Sequence, residues 1–397
     1  MKRYGMKQAV AAGLAVLLCF GGSLGTLTGY ATPEFSRSEE QWATLRDNKL
    51  EWGEIPDLVH EYNATVLINR RDYLENEKYK KDQEDIRDDL NDQADDLESQ
   101  ADAMSGEGAS AMSEASLRLQ AKQLRQQADE SVTDSRTVQM GYDQTEAQLV
   151  QEVQQLFIQY YQAMSDQEAA QQKVDYLQKV YNSTVNKQNV GTATQLEALT
   201  AKENLENAQA ALVTANAAIS SARQNLLVLC GWNYDADAEV GELPALETDW
   251  IDGIDLQADT DKALAASYTL QSDKVKLENA KTYGVKSASL ISKYEEQLTN
   301  DTNSAKLAVK KAYDDLISAR DSWTNTKAML ALKESNLETS QRELALGSIS
   351  QMDYETAANA AEELRAQEIS GQRALLTAMV NYKAVVGGLA GASSTAA

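Results

Sequence analysis

The distribution of proline constrains this chain more than any other feature of its sequence. The 397 residues contain three prolines, Pro33, Pro56 and Pro244. Proline is rare inside α-helices because it lacks the backbone N–H and clashes with the preceding turn. The blocks 57–243 and 245–397 are therefore free to form long helices. With 6% aromatic and 25% charged residues, the composition is also typical of long helices and coiled coils.

The charge and the scarcity of histidine and cysteine exclude several classes of function. The formal net charge of -24 opposes nucleic-acid binding, which needs basic surface to displace counterions. The sequence has one histidine, His60, and two cysteines, Cys19 and Cys230. No zinc cluster and no Ser–His or Cys–His pair can be assembled from them. We therefore expect no enzymatic activity, no metal and no cofactor.

The N-terminal segment predicts export. Three basic residues among the first seven precede an apolar run, and Gly29 and Ala31 supply the small residues of a cleavage site. We interpret residues 1–31 as a secretory signal peptide cleaved near Ala31. An uncleaved membrane anchor is the alternative interpretation.

Two stretches, VGTATQLEAL and LGSISQMDYE, interrupt the helical pattern in the same way. Each places a glycine, then hydroxyl residues, then an acid in the middle of a helical run. Gly191 and Gly347 are 156 residues apart, and Gly231 and Gly387 have the same separation. The segments between each pair align without a gap, with apolar residues matched at helical spacing. This pattern indicates an internal repeat.

Each repeat is predicted to form a long helical arm, a tight turn at a glycine and a returning helical arm that ends at a second glycine. The predicted fold class is all-α, with two tandem repeats of long antiparallel coiled-coil helical hairpins whose arms reach about 60 to 70 Å. Small residues line one face of the first return arm, where a packed coiled coil and a curved wall of helices fit equally well. They are Ala198, Ala201, Ala208, Ala211, Ala215, Ala218 and Ala222.

The first repeat is longer than the second because of an acidic insertion at about 80–132. Asn63 to Gly191 spans 128 residues, whereas Ser267 to Gly347 spans 80. Apolar residues in the insertion follow heptad-like steps, which predicts a shorter helical hairpin turning at Gly106 to Gly108. They are Ile86, Leu90, Leu97, Ala101, Met104, Leu117, Ala121, Leu124 and Ala128. We interpret its charges as a solvated face, with a cation- or partner-binding role as the alternative.

The expected organisation follows from these features. It comprises the signal peptide (1–31), an N-terminal extension (32–55), a first repeat with the insertion (56–231), a linker (232–258), a second repeat (259–388) and a tail (389–397).

The signal peptide, the two hairpin repeats and the duplicated turn motif G-x-x-[ST]-x-x-[DE] together resemble the TolC outer-membrane efflux family. In that family three chains form a tube with a twelve-helix α-barrel. The hairpin turns form the tip that docks a membrane-fusion adaptor and opens to an inner-membrane pump. The resemblance implies a homotrimer of TolC-like α-barrel protomers, with an adaptor and an ABC-type pump as partners, in an efflux or type I-like secretion system.

The resemblance also assigns roles to residues of this sequence. Gly191 and Gly347 would form the turns at the tip. Thr194 and Ser350 would cap the return helices through their hydroxyl groups, and Glu197 and Asp353 would lie in the first turn of those helices. In a trimer these carboxylates could form a ring at the mouth and favour cations. The full set expected at the hairpin tip for adaptor docking is Gly191, Thr194, Leu196, Glu197, Gly347, Ser350, Met352 and Asp353. Gly231 and Gly387 are the repeat-end glycines.

One departure from the family pattern concerns membrane strands. The positions where the family has transmembrane β-barrel strands hold the acidic insertion and a short polar segment, so we expect a barrel-less member. We favour the wall of a bacterium without an outer membrane over an outer-membrane location. An exported coiled-coil or wall-associated scaffold without transport activity is the alternative function. An adaptor subunit is disfavoured because no β-rich flanking pattern occurs.

Overall fold

The computed structural model describes residues 37–105, 111–131, 134–282 and 288–391. The predicted signal peptide lies outside these residues. Ten α-helices occur in the described ranges: α1 (Glu39–Leu45), α2 (Ile55–Tyr62), α3 (Ala64–Ser105), α4 (Ala111–Ser131), α5 (Ser135–Asn189), α6 (Gln195–Leu229), α7 (Leu256–Ala266), α8 (Tyr268–Thr282), α9 (Ala288–Ala345) and α10 (Gln351–Ala384). The all-α fold class is confirmed.

Four long helices lie side by side and form a wall in the order α6, α5, α10, α9. Helices α5 and α6 form one antiparallel hairpin, and α9 and α10 form the other. With 55 residues in α5 and 58 in α9, these helices extend about 80 to 90 Å. Their length agrees with the absence of proline from both.

The two hairpins contact each other through α5 and α10, which run antiparallel. Lys179 Nζ lies 2.7 Å from a carboxylate oxygen of Glu355. Towards the opposite end, Gln155 Nε2 donates to Asn381 Oδ1 at 2.6 Å. Ile158 on α5 is buried beside α10. Polar bridges therefore run along an interface whose apolar part is concentrated at one end.

The alanine face of α6 is divided between two environments. Ala198 and Ala201 are buried against α5, whereas Ala211 and Ala218 are exposed. Small side chains let two helices approach closely. The alanines on the buried face therefore serve packing within the hairpin, and the exposed ones lie on the outer edge of the wall.

The N-terminal extension and the linker meet at the end of the wall away from the hairpin turns. Strand β1 (Lys49–Leu50) pairs in parallel with β2 (Glu239–Val240). Tyr161 on α5 donates its hydroxyl proton to the carbonyl of Gly241 at 2.6 Å. Leu50 and Phe157 are fully buried in the core below this contact. A compact cap therefore covers this end of the helices.

The segment that opens each repeat forms two helices, which a buried polar residue separates. Asn63 separates α2 from α3, and Ser267 separates α7 from α8. Each side chain accepts a hydrogen bond from a backbone N–H of the following helix, at 2.9 Å from Thr65 and 3.4 Å from Leu270. Neither break contains proline or glycine, so no residue that commonly ends a helix marks it in the sequence.

Within the acidic insertion, the second half of α3 packs against α4. Ala101 on α3 and Ala121 on α4 are fully buried between them. Arg118 on α4 contacts Asp102 at 2.8 Å, and Arg125 contacts Glu98 at 2.8 Å. The predicted turn at 106–108 lies outside the described residues.

Two residues of the predicted heptad stripe do not lie in the seam between α3 and α4. Ile86 is 52% exposed and Met104 is 40% exposed. The contacts of Arg118 and Arg125 define how α4 is aligned along α3. In this alignment Ile86 on α3 lies about one turn beyond the end of α4, so α4 does not cover it. Ala94, which the predicted stripe omits, is fully buried in the seam, as is the predicted Ala128, so alanine rather than large apolar residues sets the spacing of the helices.

Candidate functional site: the paired hairpin tips

The first tip is built by a left-handed glycine. Gly191 has φ 78°, a backbone conformation that residues with a Cβ atom rarely adopt. Its N–H donates to the carbonyl of Gln188 at 2.9 Å, and the N–H of Thr192 donates to the carbonyl of Lys187 at 2.8 Å. This pair of bonds is the Schellman motif, which satisfies carbonyls at the end of a helix. Helix α5 therefore ends in a defined turn.

The second tip repeats this geometry. Gly347 has φ 74°. Its N–H donates to the carbonyl of Leu344 at 2.9 Å, and the N–H of Ser348 donates to the carbonyl of Glu343 at 2.8 Å. A methyl group placed on either tip glycine would meet nothing within 4 Å. Glycine is therefore needed for backbone conformation at the tips and not for close packing.

A capping box starts each return helix. The hydroxyl of Thr194 accepts from the N–H of Glu197 at 3.2 Å, and the Glu197 carboxylate accepts from the N–H of Thr194 at 2.6 Å. Ser350 and Asp353 make the same exchange, with both bonds at 3.1 Å. The predicted capping by Thr194 and Ser350 is thus confirmed. The reciprocal bonds satisfy N–H groups that the first helical turn leaves free.

Both tip acids are stabilised in their ionised form. Hydrogen bonds from the backbone and the hydroxyl of Thr194 lower the pKa of Glu197. Hydrogen bonds from the hydroxyl and the backbone of Ser350 lower the pKa of Asp353. The ammonium group of Lys187 contributes to both reductions, which indicates that one lysine lies near both turns. The tip carries fixed negative charge at neutral pH.

The two tips lie next to each other. A shallow depression is lined by Asn186, Lys187 and Val190 from the end of α5, and by Gln351 and Met352 from the start of α10. Met352 is half-buried there. The predicted tip residues, separated by about 150 positions in the sequence, are therefore gathered at one end of the wall.

Large apolar side chains project from both tips. Val190 is 74% exposed, Leu196 is 73% exposed and Leu346 is 82% exposed. The set of tip residues expected from the sequence included Leu196 but did not include Val190 or Leu346. The available clue was an apolar residue directly before each turn glycine, a position where solvent exposure would favour a polar side chain.

The two repeat-end glycines differ from each other. Gly231 has φ 86°, and a methyl group on it would lie 2.5 Å from both Cβ and the carbonyl oxygen of Tyr62. At the end of the second repeat the residues with positive φ are Gly388, at 133°, and Gly391, at 81°, and not the predicted repeat-end glycine Gly387. A π-helical turn at Val385–Leu389 explains the shift, because such a turn inserts one residue into a helix.

Across residues 37–105, 111–131, 134–282 and 288–391, no group of three or more His, Cys, Asp or Glu side chains could hold a metal ion. In the same ranges, none of the helices combines the length and the apolar character that crossing a bilayer requires.

Comparison with known proteins supplies an independent view of the chain. The sequence model of the outer membrane efflux protein family matches residues 89–232. This match covers α4, α5 and α6, including the first hairpin tip. No curated protein matches the sequence.

Several solved structures share the fold over most of the chain. A membrane protein from Pseudomonas aeruginosa has a TM-score of 0.55 at 13% identity, covering 85% of this chain and 93% of that one. The Campylobacter jejuni CmeC outer membrane channel has a TM-score of 0.54 at 11% identity, covering 92% and 91%. The open state of the Neisseria gonorrhoeae MtrE outer membrane channel has a TM-score of 0.51 at 13% identity, covering 85% and 89%. The family match and the shared fold together confirm the predicted resemblance to the TolC-like outer membrane efflux protein family.

Proposed function

We propose that this chain is the conduit component of an efflux or type I-like secretion system and docks an adaptor through its hairpin tips. The observation that carries the proposal is the pair of adjacent tips, each with the same Schellman turn and capping box. The tips hold Val190, Leu196 and Leu346 out to solvent. Exposed large apolar side chains grouped on a rigid surface are typical of a protein contact.

The wall of a single chain has two open edges, which supports assembly into a homotrimer. Helices α6 and α9 each have a long-helix neighbour within the chain on one side. Val213 on α6 is 70% exposed, and Met329 and Leu332 on α9 are 58% and 69% exposed. In a closed tube, α6 of one copy would pack beside α9 of the next and cover these side chains. Three four-helix walls give the twelve helices of the tube.

The adaptor is proposed to bind the tips by apolar contact. The bulky groups at the tip are uncharged, whereas Glu197 and Asp353 are engaged in capping boxes. An adaptor would therefore insert apolar side chains between Leu196 and Leu346 and leave the carboxylates at the rim. An ABC-type inner-membrane pump would deliver the cargo beyond the adaptor. We place this assembly in the cell envelope, and a location in the wall of a bacterium without an outer membrane stays a prediction from the sequence.

The rival proposal is a monomeric coiled-coil scaffold without transport activity. Light scattering after size-exclusion chromatography, combined with negative-stain imaging, separates the two. A hollow rod of three chains is expected for the conduit. A stable monomer at micromolar concentration contradicts the conduit and supports the scaffold.

Docking is tested by measuring the binding of this chain to a candidate membrane-fusion adaptor protein. We expect Leu346→Ser to weaken adaptor binding at least tenfold while the trimer remains intact. The matched control is Leu74→Ser, an exposed leucine on α3 that lies outside both the tips and the proposed seam between copies. Equal binding by both variants would contradict docking through the tips.

The tip carboxylates are also proposed to favour cations at the mouth of the trimer. Their lowered pKa values keep Glu197 and Asp353 charged at neutral pH. Replacement of both, Glu197→Gln with Asp353→Asn, is expected to reduce the cation preference of the assembled conduit. Unchanged ion selectivity contradicts this role.

A further inference from the structure

A second feature of the molecule lies far from the tips, in a cavity of about 810 Å³ between the two hairpins. Helices α5 and α10 form two sides of it. The N-terminal extension contributes Trp52, the start of α2 contributes Pro56, and the linker contributes Pro244. All of these residues come from one chain, and the open edges on α6 and α9 contribute none of them. The cavity therefore lies outside the proposed seam between copies.

One side of the cavity is apolar. Val150 on α5 faces it together with Leu376, Met379 and Val380 on α10. The three residues on α10 are buried, with 5 to 7% of each side chain exposed. Trp52 is held in place by an edge-to-face contact with Phe157, with ring centroids 5.5 Å apart. Rigid apolar walls of this kind and a volume of several hundred Å³ are typical of sites for small organic ligands.

Carboxylates line another part of the cavity. Asp143 and Glu146 lie one turn apart on α5, and Glu247 comes from the linker. The lining contains one ammonium group, Lys383, which lies over the ring of Trp250 at 5.0 Å. Acidic groups thus outnumber basic ones around this space.

The imidazole of His60 lies beside these acids. Its Nδ1 is 2.8 Å from Glu146 Oε1, and its Nε2 is 3.0 Å from the guanidinium of Arg70. These contacts hold Glu146 in place at the edge of the cavity.

Asp143 has no partner in the part of the chain that the structure describes. Its carboxylate makes neither a hydrogen bond nor an ion pair with those residues. Partial burial, followed by the charge of Glu146, raises the pKa of Asp143, and the charge of His60 opposes this shift. Burial, followed by the charges of Asp143 and Glu146, also raises the pKa of Tyr268, whose ring lines the cavity. Both shifts therefore include the effect of carboxylates that line the cavity.

We propose that this cavity binds a small organic cation with an apolar body. The positive group would lie between the carboxylates of Asp143 and Glu146, and the apolar body would pack against Val150, Leu376 and Val380. Such a ligand meets both properties of the cavity, because it supplies the missing countercharge and covers apolar surface. This inference goes beyond the proposed conduit function and does not depend on it.

The test uses two ions of the same shape and opposite charge, tetraphenylphosphonium and tetraphenylborate. Titration calorimetry on the purified full-length chain is expected to show one bound phosphonium per chain and no bound borate. Asp143→Asn should weaken phosphonium binding by about fivefold to tenfold. The matched control is Glu168→Gln, an exposed acid on α5 outside the cavity, which should leave the affinity unchanged.

The single histidine locates the bound ion. Selective isotope labelling of histidine gives one imidazole signal in NMR spectra, from His60 in the lining of the cavity. Phosphonium binding should shift that signal in the wild-type chain at the concentrations that saturate calorimetry. Equal binding of both ions, no binding, an unshifted imidazole signal or equal effects of the two substitutions would each overturn the proposal.

Discussion

Asn63 Nδ2 donates a 2.7 Å hydrogen bond to the carbonyl oxygen of Leu229, 166 positions later in the chain. The same side chain caps α3 through its oxygen, so one buried amide both starts a helix and holds the end of another. Ser267 makes the corresponding pair of bonds in the second half, with its hydroxyl 2.8 Å from the carbonyl of Ala390. Each hairpin is thus fastened at its base by one polar residue.

Removal of these side chains is expected to destabilise the base of each hairpin. Asn63→Ala loses a helix cap and leaves a carbonyl without its side-chain partner, which should lower the free energy of unfolding by about 2 to 3 kcal/mol. Ser267→Ala should cost about 1 to 2 kcal/mol for the same reasons. Urea unfolding measures both. Asn182→Ala, at an exposed position of α5, is the control, and a loss equal to that of Asn63→Ala would contradict the fastening role.

The hairpins could be predicted from the sequence, whereas the hydrogen bonds of Asn63 and Ser267 at their bases could not. The hairpins and their turns depend on local chemistry, namely the absence of proline, glycines at left-handed positions and hydroxyl–acid pairs three residues apart. The break at Asn63 depends on a carbonyl far away in sequence, which no local pattern reveals. The shift from Gly387 to Gly388 likewise follows from a π-helical turn that an ungapped alignment hides. The cavity draws its lining from segments spread over most of the chain.

Glycines with the same backbone conformation are expected to differ in their tolerance of alanine. At Gly191 an added methyl group meets only solvent, so Gly191→Ala should cost about 1 to 2 kcal/mol from the left-handed backbone alone. At Gly231 the methyl group would also collide with Tyr62, whose carbonyl oxygen would be 2.5 Å away. Gly231→Ala should therefore lower the melting temperature further than Gly191→Ala does. Equal melting temperatures would show that Tyr62 moves away without cost.

The α3–α4 hairpin is expected to respond to side-chain size at its alanine seam. Ala121 is fully buried between the helices, so Ala121→Leu should force them apart at a cost of about 1 to 3 kcal/mol. Hydrogen exchange should show faster exchange in α3 and α4 and unchanged protection in α5 and α10. Ala115→Leu on the exposed face of α4 is the matched control. Protection lost equally in both variants would contradict an alanine-spaced seam.

A buried acid between α8 and α9 makes stability depend on pH. Asp273 is 1% exposed, and Gln297 donates to its Oδ1 at 3.2 Å. Its other carboxylate oxygen, Oδ2, is buried without a hydrogen-bond partner. Burial, reinforced by the neighbouring Asp301, raises the pKa of Asp273, while Lys276 opposes the shift. At pH values between the ordinary pKa of an aspartate and the raised pKa of Asp273, the folded chain therefore retains a proton that the unfolded chain releases.

The sign of the pH effect follows from that retained proton. An unfolded aspartate titrates near pH 4, so the stabilisation from protonated Asp273 is fully present below about pH 4. It is lost as the pH rises through the raised pKa of the folded state. We expect Asp273→Asn, which mimics the protonated side chain, to unfold at higher urea concentration than wild type at pH 8. The gain should be about 1 kcal/mol, because the buried oxygen Oδ2, which has no hydrogen-bond partner, no longer belongs to a charged group, and it should vanish near pH 4. Asp315→Asn on the exposed face of α9 should change stability little at either pH. A gain for Asp273→Asn that persists unchanged at pH 4 would show that packing, and not the proton, is responsible.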